Sequence, residues 1–109
     1  MNLISSVRNF NNSNLFFSKD ELTKILSCYS LGVSKGTWND YSINYGKQHI
    51  AFMMYKHTLA EPNYILTKSN KYKKNLFFYD LEYNNKKKYK FKKIDDIIAI
   101  IKRNELKII

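Results

Sequence analysis

Residues Ser18 to Gly36 spell out a helix together with both of its ends, and that stretch limits the rest of the chain more than any other. Ser18 and Glu21 have the S-x-x-E spacing of a capping box. The serine oxygen accepts the N–H of the third helical residue, and the glutamate reaches back to the cap. Phe17 before the cap and Leu22 at the fourth helical position are spaced as a hydrophobic staple, which sets the angle at which the chain enters. Leu22, Ile25, Leu26, Tyr29 and Val33 recur at helical spacing, so one side of the helix must lie on apolar material. Asp20 and Lys24 add an exposed i,i+4 pair worth about 0.2–0.5 kcal/mol. Gly32 interrupts the stripe at a cost of about 1 kcal/mol against alanine, which implies that something packs closely on its backbone. Lys35 suits the negative helix end, and Gly36 suits a left-handed C′ position.

The remainder is written mostly in period two, so the apolar partner of this helix is a sheet. Trp38 marks the corner, as an aromatic plug whose indole N–H is expected to find a carbonyl. Asp40 to Tyr45 alternates, with Tyr41, Ile43 and Tyr45 on one side. Gly46-Lys47 reads as a type II′ turn into a central strand, Gln48 to His57, which is apolar on both faces. Thr58 to Pro62 connects to a third strand from Tyr64 to Thr67, followed by a loop from Ser69 to Lys74. Leu76 to Tyr83 is the fourth strand, Asn84-Asn85 a tight turn and Lys87 to Lys93 the fifth strand. Ile94, Ile97, Ile98 and Ile101 stripe a second helix. Asp95 and Asp96 open it, Lys102 and Arg103 suit its far end, and Asn104 is placed to cap it. Leu106 to Ile109 reads as a short extended tail. The expected fold is therefore α+β, with the N-terminal amphipathic helix and the C-terminal helix packed on one face of a mostly antiparallel five-stranded meander sheet. Residues 1–14 are polar and rich in asparagine and read as a mobile arm, and residues 15–109 read as the single domain.

A chain of 109 residues can bury one core without covalent staples. Its one cysteine, Cys28, excludes an internal disulfide and any paired-cysteine zinc or redox motif. The N-terminal residues contain no apolar run of signal or membrane length, so a cytoplasmic protein with no membrane insertion is expected. His49 and His57 are eight positions apart on one strand, roughly 26 Å by strand rise, too far to share a metal. No phosphate loop, dinucleotide fingerprint, nucleophile elbow or carboxylate pair occurs. The expectation is a protein that is not an enzyme and holds no cofactor or metal.

The charge points elsewhere. Nineteen Lys and Arg against nine Asp and Glu give a formal net charge of +10 and a pI near 9.7. Part of this excess matches the lysine, asparagine and isoleucine usage of an AT-rich genome. From Lys68 to Lys93, however, lysine alternates with tyrosine. Lysines neutralise phosphates without reading bases, and exposed tyrosines stack on unpaired bases for about 1–3 kcal/mol each. The candidate contacts to RNA or single-stranded DNA are Lys68, Lys73, Lys74, Lys88, Lys90 and Lys92, with Tyr72, Tyr83 and Tyr89 for stacking. Against this stands a solvated edge whose lysines discourage aggregation. A protein-interaction or adaptor domain is the alternative, homodimeric through a sheet edge or through the isoleucine-rich helix if Ile100 is exposed. An enzyme acting on an anionic small molecule would need a deep pocket at Asp40 or His57.

The runs FFSKDELTKILSCYSLGVSKGTWNDYSI, AFMMYKHT and EPNYILTK resemble the alphaproteobacterial domain-of-unknown-function family 2794 (DUF2794). That family carries an E-L-x-x-I-L-x-x-Y helix, a G-x-W-x-D-Y corner, a strand ending in a basic pair and threonine, and P-x-Y. The positions that match include Glu21, Leu22, Ile25, Leu26, Tyr29, Gly36, Trp38, Asp40, Tyr41, Pro62, Tyr64 and Lys68. The chain departs from the family at Asn39 and at Lys56-His57, where arginines are usual. The resemblance implies a free-standing bacterial cytoplasmic protein and brings no activity with it. It adds Trp38, Asp40, Lys56, His57 and Lys68 as a candidate functional surface around the corner, with Asp40 bridging to Lys56 or capping the corner as the structural alternative.

Overall fold

A computed structural model of the chain describes residues 14–70, 76–83 and 87–106. The predicted arm (all but residue 14), the end of the Ser69–Lys74 loop, the Asn84-Asn85 turn and residues 107–109 lie outside the described residues. The order is α1 (Lys19–Ser34), β1 (Asp40–Tyr45), β2 (His49–Tyr55), β3 (Tyr64–Ser69), β4 (Phe78–Tyr83), β5 (Lys87–Phe91) and α2 (Ile94–Ile101), extended by a π-helical turn, Lys102–Leu106. The five strands form one antiparallel meander in sequence order, and both helices pack on the same face of it. The expected α+β architecture is the observed one.

The capping box is complete. The Ser18 N–H donates to Glu21 Oε1 at 2.8 Å, and the Glu21 N–H donates to Ser18 Oγ at 3.1 Å. Gly36, at φ 78°, ends α1 in the left-handed conformation glycine adopts without penalty. The buried line along α1 is not the one the periodicity predicted. Ile25, Cys28 and Gly32 lie deepest, Leu22, Leu26 and Tyr29 are half-buried, and Val33 is 45% exposed. Only one flank of the stripe is under cover, because α1 leans toward α2 and the π-helical turn. Rings fill the space on its other side. Tyr29 meets Tyr41 edge-on with centroids 5.0 Å apart, and Tyr41 stacks on Phe52 at 5.0 Å.

Alternation places Ile50, Phe52, Met54, Tyr64, Leu66, Tyr79 and Leu81 toward the helices, all buried, where they meet Ile25, Ile94, Ile97, Ile98 and Ile101. Each aliphatic side chain sealed there contributes about 1.5–3 kcal/mol. Trp38 is 3% exposed and stands edge-on to Tyr64, centroids 5.4 Å apart. It plugs the core as expected, but its indole N–H has no hydrogen-bond partner among the described residues, and the expected carbonyl is not among them.

Three local expectations are corrected. The β1–β2 turn is tipped by Lys47-Gln48, not Gly46-Lys47: the Gly46 N–H donates to the His49 carbonyl at 2.8 Å, which extends the ladder by one pair. Gly46 is not left-handed, as a type II′ turn would require. Asn104 does not cap α2, because the chain runs through it to Leu106, which is buried at 4% and not extended. Three strands are also shorter than expected, since β2 stops before Lys56, β4 starts at Phe78 and β5 ends at Phe91, whereas β3 runs past the expected Thr67 to Ser69.

Candidate binding surfaces

β3 alternates Tyr64, Leu66 and Lys68 toward the helices, so Lys68 points into the core side of the sheet. It is 5% exposed, and the predicted phosphate contact there is not on the surface. Its Nζ donates to Glu21 Oε1 at 2.8 Å and to the Phe16 carbonyl at 3.0 Å, and lies 4.4 Å from the Phe77 ring centroid. The Tyr79 hydroxyl donates to the other Glu21 oxygen. A buried ammonium is tolerable only when its donors are used, and here a carboxylate, a carbonyl and a ring face take them. Burial would raise the Glu21 carboxyl, but hydrogen bonds from Lys68, Tyr79 and the Ser18 N–H outweigh it and hold the group below its ordinary value. Burial and the bond to Glu21 push the Tyr79 phenol well above its own. Glu21 thus both caps α1 and ties it to β3 and β4.

A second polar cluster holds the opposite end of the sheet. Glu105, on the π-helical turn, accepts from the Tyr64 hydroxyl at 2.8 Å and pairs with Lys56 Nζ at 3.0 Å. Burial, then the bond to Glu105, pushes the Tyr64 phenol far up. Lys56 is therefore spoken for, and Asp40 does not bridge to it. The Asp40 carboxylate instead accepts the N–H of Tyr41 at 2.8 Å, while Asn39 Nδ2 donates to Thr58 Oγ1 at 3.2 Å. His57 is exposed in the turn after β2. The proposed corner surface separates: Trp38 is inside, Asp40 is at the β1 edge, and Lys68 lies opposite Ile50 at the far end of β2 from Lys56.

Lys88 and Lys90 of β5 do stay outside, as do Lys92 and Lys93 just after it. Lys88 and Lys90 face away from the helices, opposite Glu82 and Asp80 in the register. Lys90 lies 3.8 Å from Asp80 Oδ1, a long contact in which the lysine keeps 66% of its side-chain surface. Tyr89, on the other face of the strand, is 43% exposed. Tyr83 is not free to stack on a base, because its ring lies between those of Tyr64 and Tyr89, 5.2 and 6.0 Å away. Tyr72, Lys73 and Lys74 lie outside the described residues.

At the opposite edge, Phe16, Tyr41 and Tyr45 are 56%, 44% and 53% exposed, and Phe16 meets Tyr45 edge-on at 5.4 Å. Ile100 is half-buried against the core, so it does not supply the exposed helix face considered above. Burial raises the Cys28 thiol, with only a weak opposing pull from Lys102, so it is a packing residue. Among the described residues no group of three His, Cys, Asp or Glu could hold a metal ion, and no helix is long and apolar enough to cross a membrane. A groove of about 400 Å³ between α1 and α2, lined by Lys24, Ser27, Asp95 and Lys102 among others, contains neither Asp40 nor His57. Its Lys24 is held by Asp20 and Asp95, at 3.3 and 2.9 Å.

The sequence reading missed Glu21, Tyr79 and Glu105 as polar anchors. One signal was available: Lys68 has the same parity as Tyr64 and Leu66, which puts it on the buried face, where a partner carboxylate is obligatory.

A family model described as a protein of unknown function (DUF2794) matches residues 15–95. No curated protein and no solved structure shows significant similarity to the chain.

Proposed function

The chain belongs to the DUF2794 family, whose description carries no activity, and on its own geometry we propose a non-catalytic cytoplasmic module that binds single-stranded nucleic acid along β5. The observation that carries this reading is the set of exposed lysines at the sheet edge, Lys88 and Lys90 on β5 and Lys92 and Lys93 just after it, with Tyr89 exposed on the opposite face of the same strand. Lysine ammonium groups along an extended strand match the spacing of a flexible phosphate backbone and release counterions when they meet it. Tyr89 offers a ring face for an unpaired base. With Lys68 enclosed and Tyr83 already stacked, the reading narrows from the Lys68–Lys93 run to the β5 edge of the sheet. Such a surface distinguishes charge and strandedness and is indifferent to base identity, since none of the residues that form it is an arginine.

The test is a titration of a labelled single-stranded oligonucleotide over a salt series. Affinity falls as salt rises, and replacing Lys88, Lys92 and Lys93 with glutamine lowers the slope of log affinity against log salt by about 0.7 for each phosphate no longer neutralised. Absence of binding at low salt, or an affinity that ignores salt, rejects the reading.

A further inference from the structure

The two edges of the sheet are chemically opposite. β5 carries lysines, which repel a second strand, whereas β1, Asp40–Tyr45, carries none. The Gly46 N–H bonds to the His49 carbonyl, so by the alternation of an antiparallel ladder Asp40, Ser42 and Asn44 turn their backbone groups to β2. Tyr41, Ile43 and Tyr45 then turn theirs to the outer edge, which no strand among the described residues covers. The bond from the Tyr41 N–H to the neighbouring Asp40 carboxylate agrees with that direction.

We infer that β1 pairs with β1 of a second copy of this chain, antiparallel about a two-fold axis at Ile43, joining the two sheets into one. The sequence Tyr41-Ser42-Ile43-Asn44-Tyr45 is nearly the same read in either direction. Centred on Ile43, the pairing sets Tyr41 opposite Tyr45 of the other copy, Ile43 opposite Ile43, and Ser42 opposite Asn44. It is the one centre that uses the outward N–H and C=O of all three odd-numbered residues. Same-face residues oppose one another, so both copies keep their helices on one side of the joint sheet. Phe16, Tyr41 and Tyr45 of the two copies then shield one another. Asp40 comes opposite Gly46 of the other copy, beside its Lys47, so the carboxylate that releases the Tyr41 N–H gains an ammonium in exchange. The lysines of both β5 strands end at the far edges, where the like charges are farthest apart. A closed two-fold interface of this kind uses each β1 once and stops at two copies.

The experiment is sedimentation equilibrium of the full chain from micromolar to millimolar concentration, on the wild type and two variants. Ile43→Pro removes an outward N–H and leaves the β2 ladder untouched, and Y41K/Y45K places lysine opposite lysine at two exposed positions. The expected result is a wild-type mass twice that of the chain, with both variants reduced to the single-chain mass while keeping the wild-type far-ultraviolet circular dichroism. Amide exchange supplies a readout independent of folding: protection at Ile43 and Tyr45 rises with wild-type concentration and protection along β5 does not. A wild type that stays monomeric throughout, a larger oligomer, or a dimer that survives Y41K/Y45K overturns the inference.

Discussion

Gly32 and Trp38 occupy each other's space: a Cβ built on Gly32 would lie 1.9 Å from the indole Nε1. That closeness explains why a helix stripe tolerates a residue that weakens the helix. The ring is buried and packed edge-on against Tyr64, so it has little room to retreat. Gly32→Ala should destabilise the fold by about 1–3 kcal/mol, the usual range for overpacking, in spite of alanine's better helix propensity. Urea unfolding of Gly32→Ala, and of the same substitution combined with Trp38→Phe, checks this, since the smaller ring should recover part of the loss.

The other two glycines should answer differently. A Cβ on Gly46 would meet the His49 ring at 2.5 Å, but that ring is exposed and can turn away, so Gly46→Ala should change stability by less than about 0.5 kcal/mol. Gly36→Ala meets no atom but forces alanine to φ 78°, and should cost about 1–2 kcal/mol in the same measurement.

Removing one partner from the Lys68–Glu21 pair leaves the other charge with little access to water, the two side chains being 6% and 13% exposed. Lys68→Met should cost about 3–5 kcal/mol, and adding Glu21→Gln should return part of that, because the double variant buries no lone charge. A double-mutant cycle from chemical denaturation gives the coupling, and additive effects would show that the pair does not act as one unit.

The same cluster sets the pH limits. The folded Glu21 carboxyl lies below its ordinary 4.5, so its contribution is present above about that pH and is lost as pH falls through the lower, folded value. Tyr64 and Tyr79 are shifted the other way, above 10, so their contribution is complete below 10 and is lost as pH rises toward the folded values. Thermal melts across pH should fall off at both ends. Glu21→Gln should flatten the acid limb, and Tyr64→Phe the alkaline one.

How much of this was legible in the sequence follows from what each signal encodes. The capping box, the Gly36 stop and the alternation of Asp40 to Tyr45 are local, and local chemistry alone decides them. Periodicity says which side of a helix is apolar, but not which flank a neighbour will cover, which is why Val33 stayed in solvent while Gly32 went under a ring. Lysine at position 68 was read by its type, when its parity with Tyr64 and Leu66 was the stronger evidence. The extension of α2 through Asn104 depends on Leu106 finding the core and on Glu105 finding Tyr64 and Lys56, interactions made across the whole chain. The β5 lysines were readable because an edge strand leaves its charges where the sequence puts them.

The partners of Lys68 also set an order of events in time. Successive strands of the meander are neighbours in sequence and need close only short loops, whereas Lys68 reaches 47 residues to Glu21 and 52 to Phe16, and Tyr79 reaches 58 to Glu21. The entropy of those closures must be met before the bonds reward it, and the ammonium cannot lose its water until the helix end is in place to receive it. Substitutions at Lys68 and Glu21 should therefore accelerate unfolding and leave the refolding rate nearly unchanged, which makes the helix clasp the last part of the molecule to set and the first to let go.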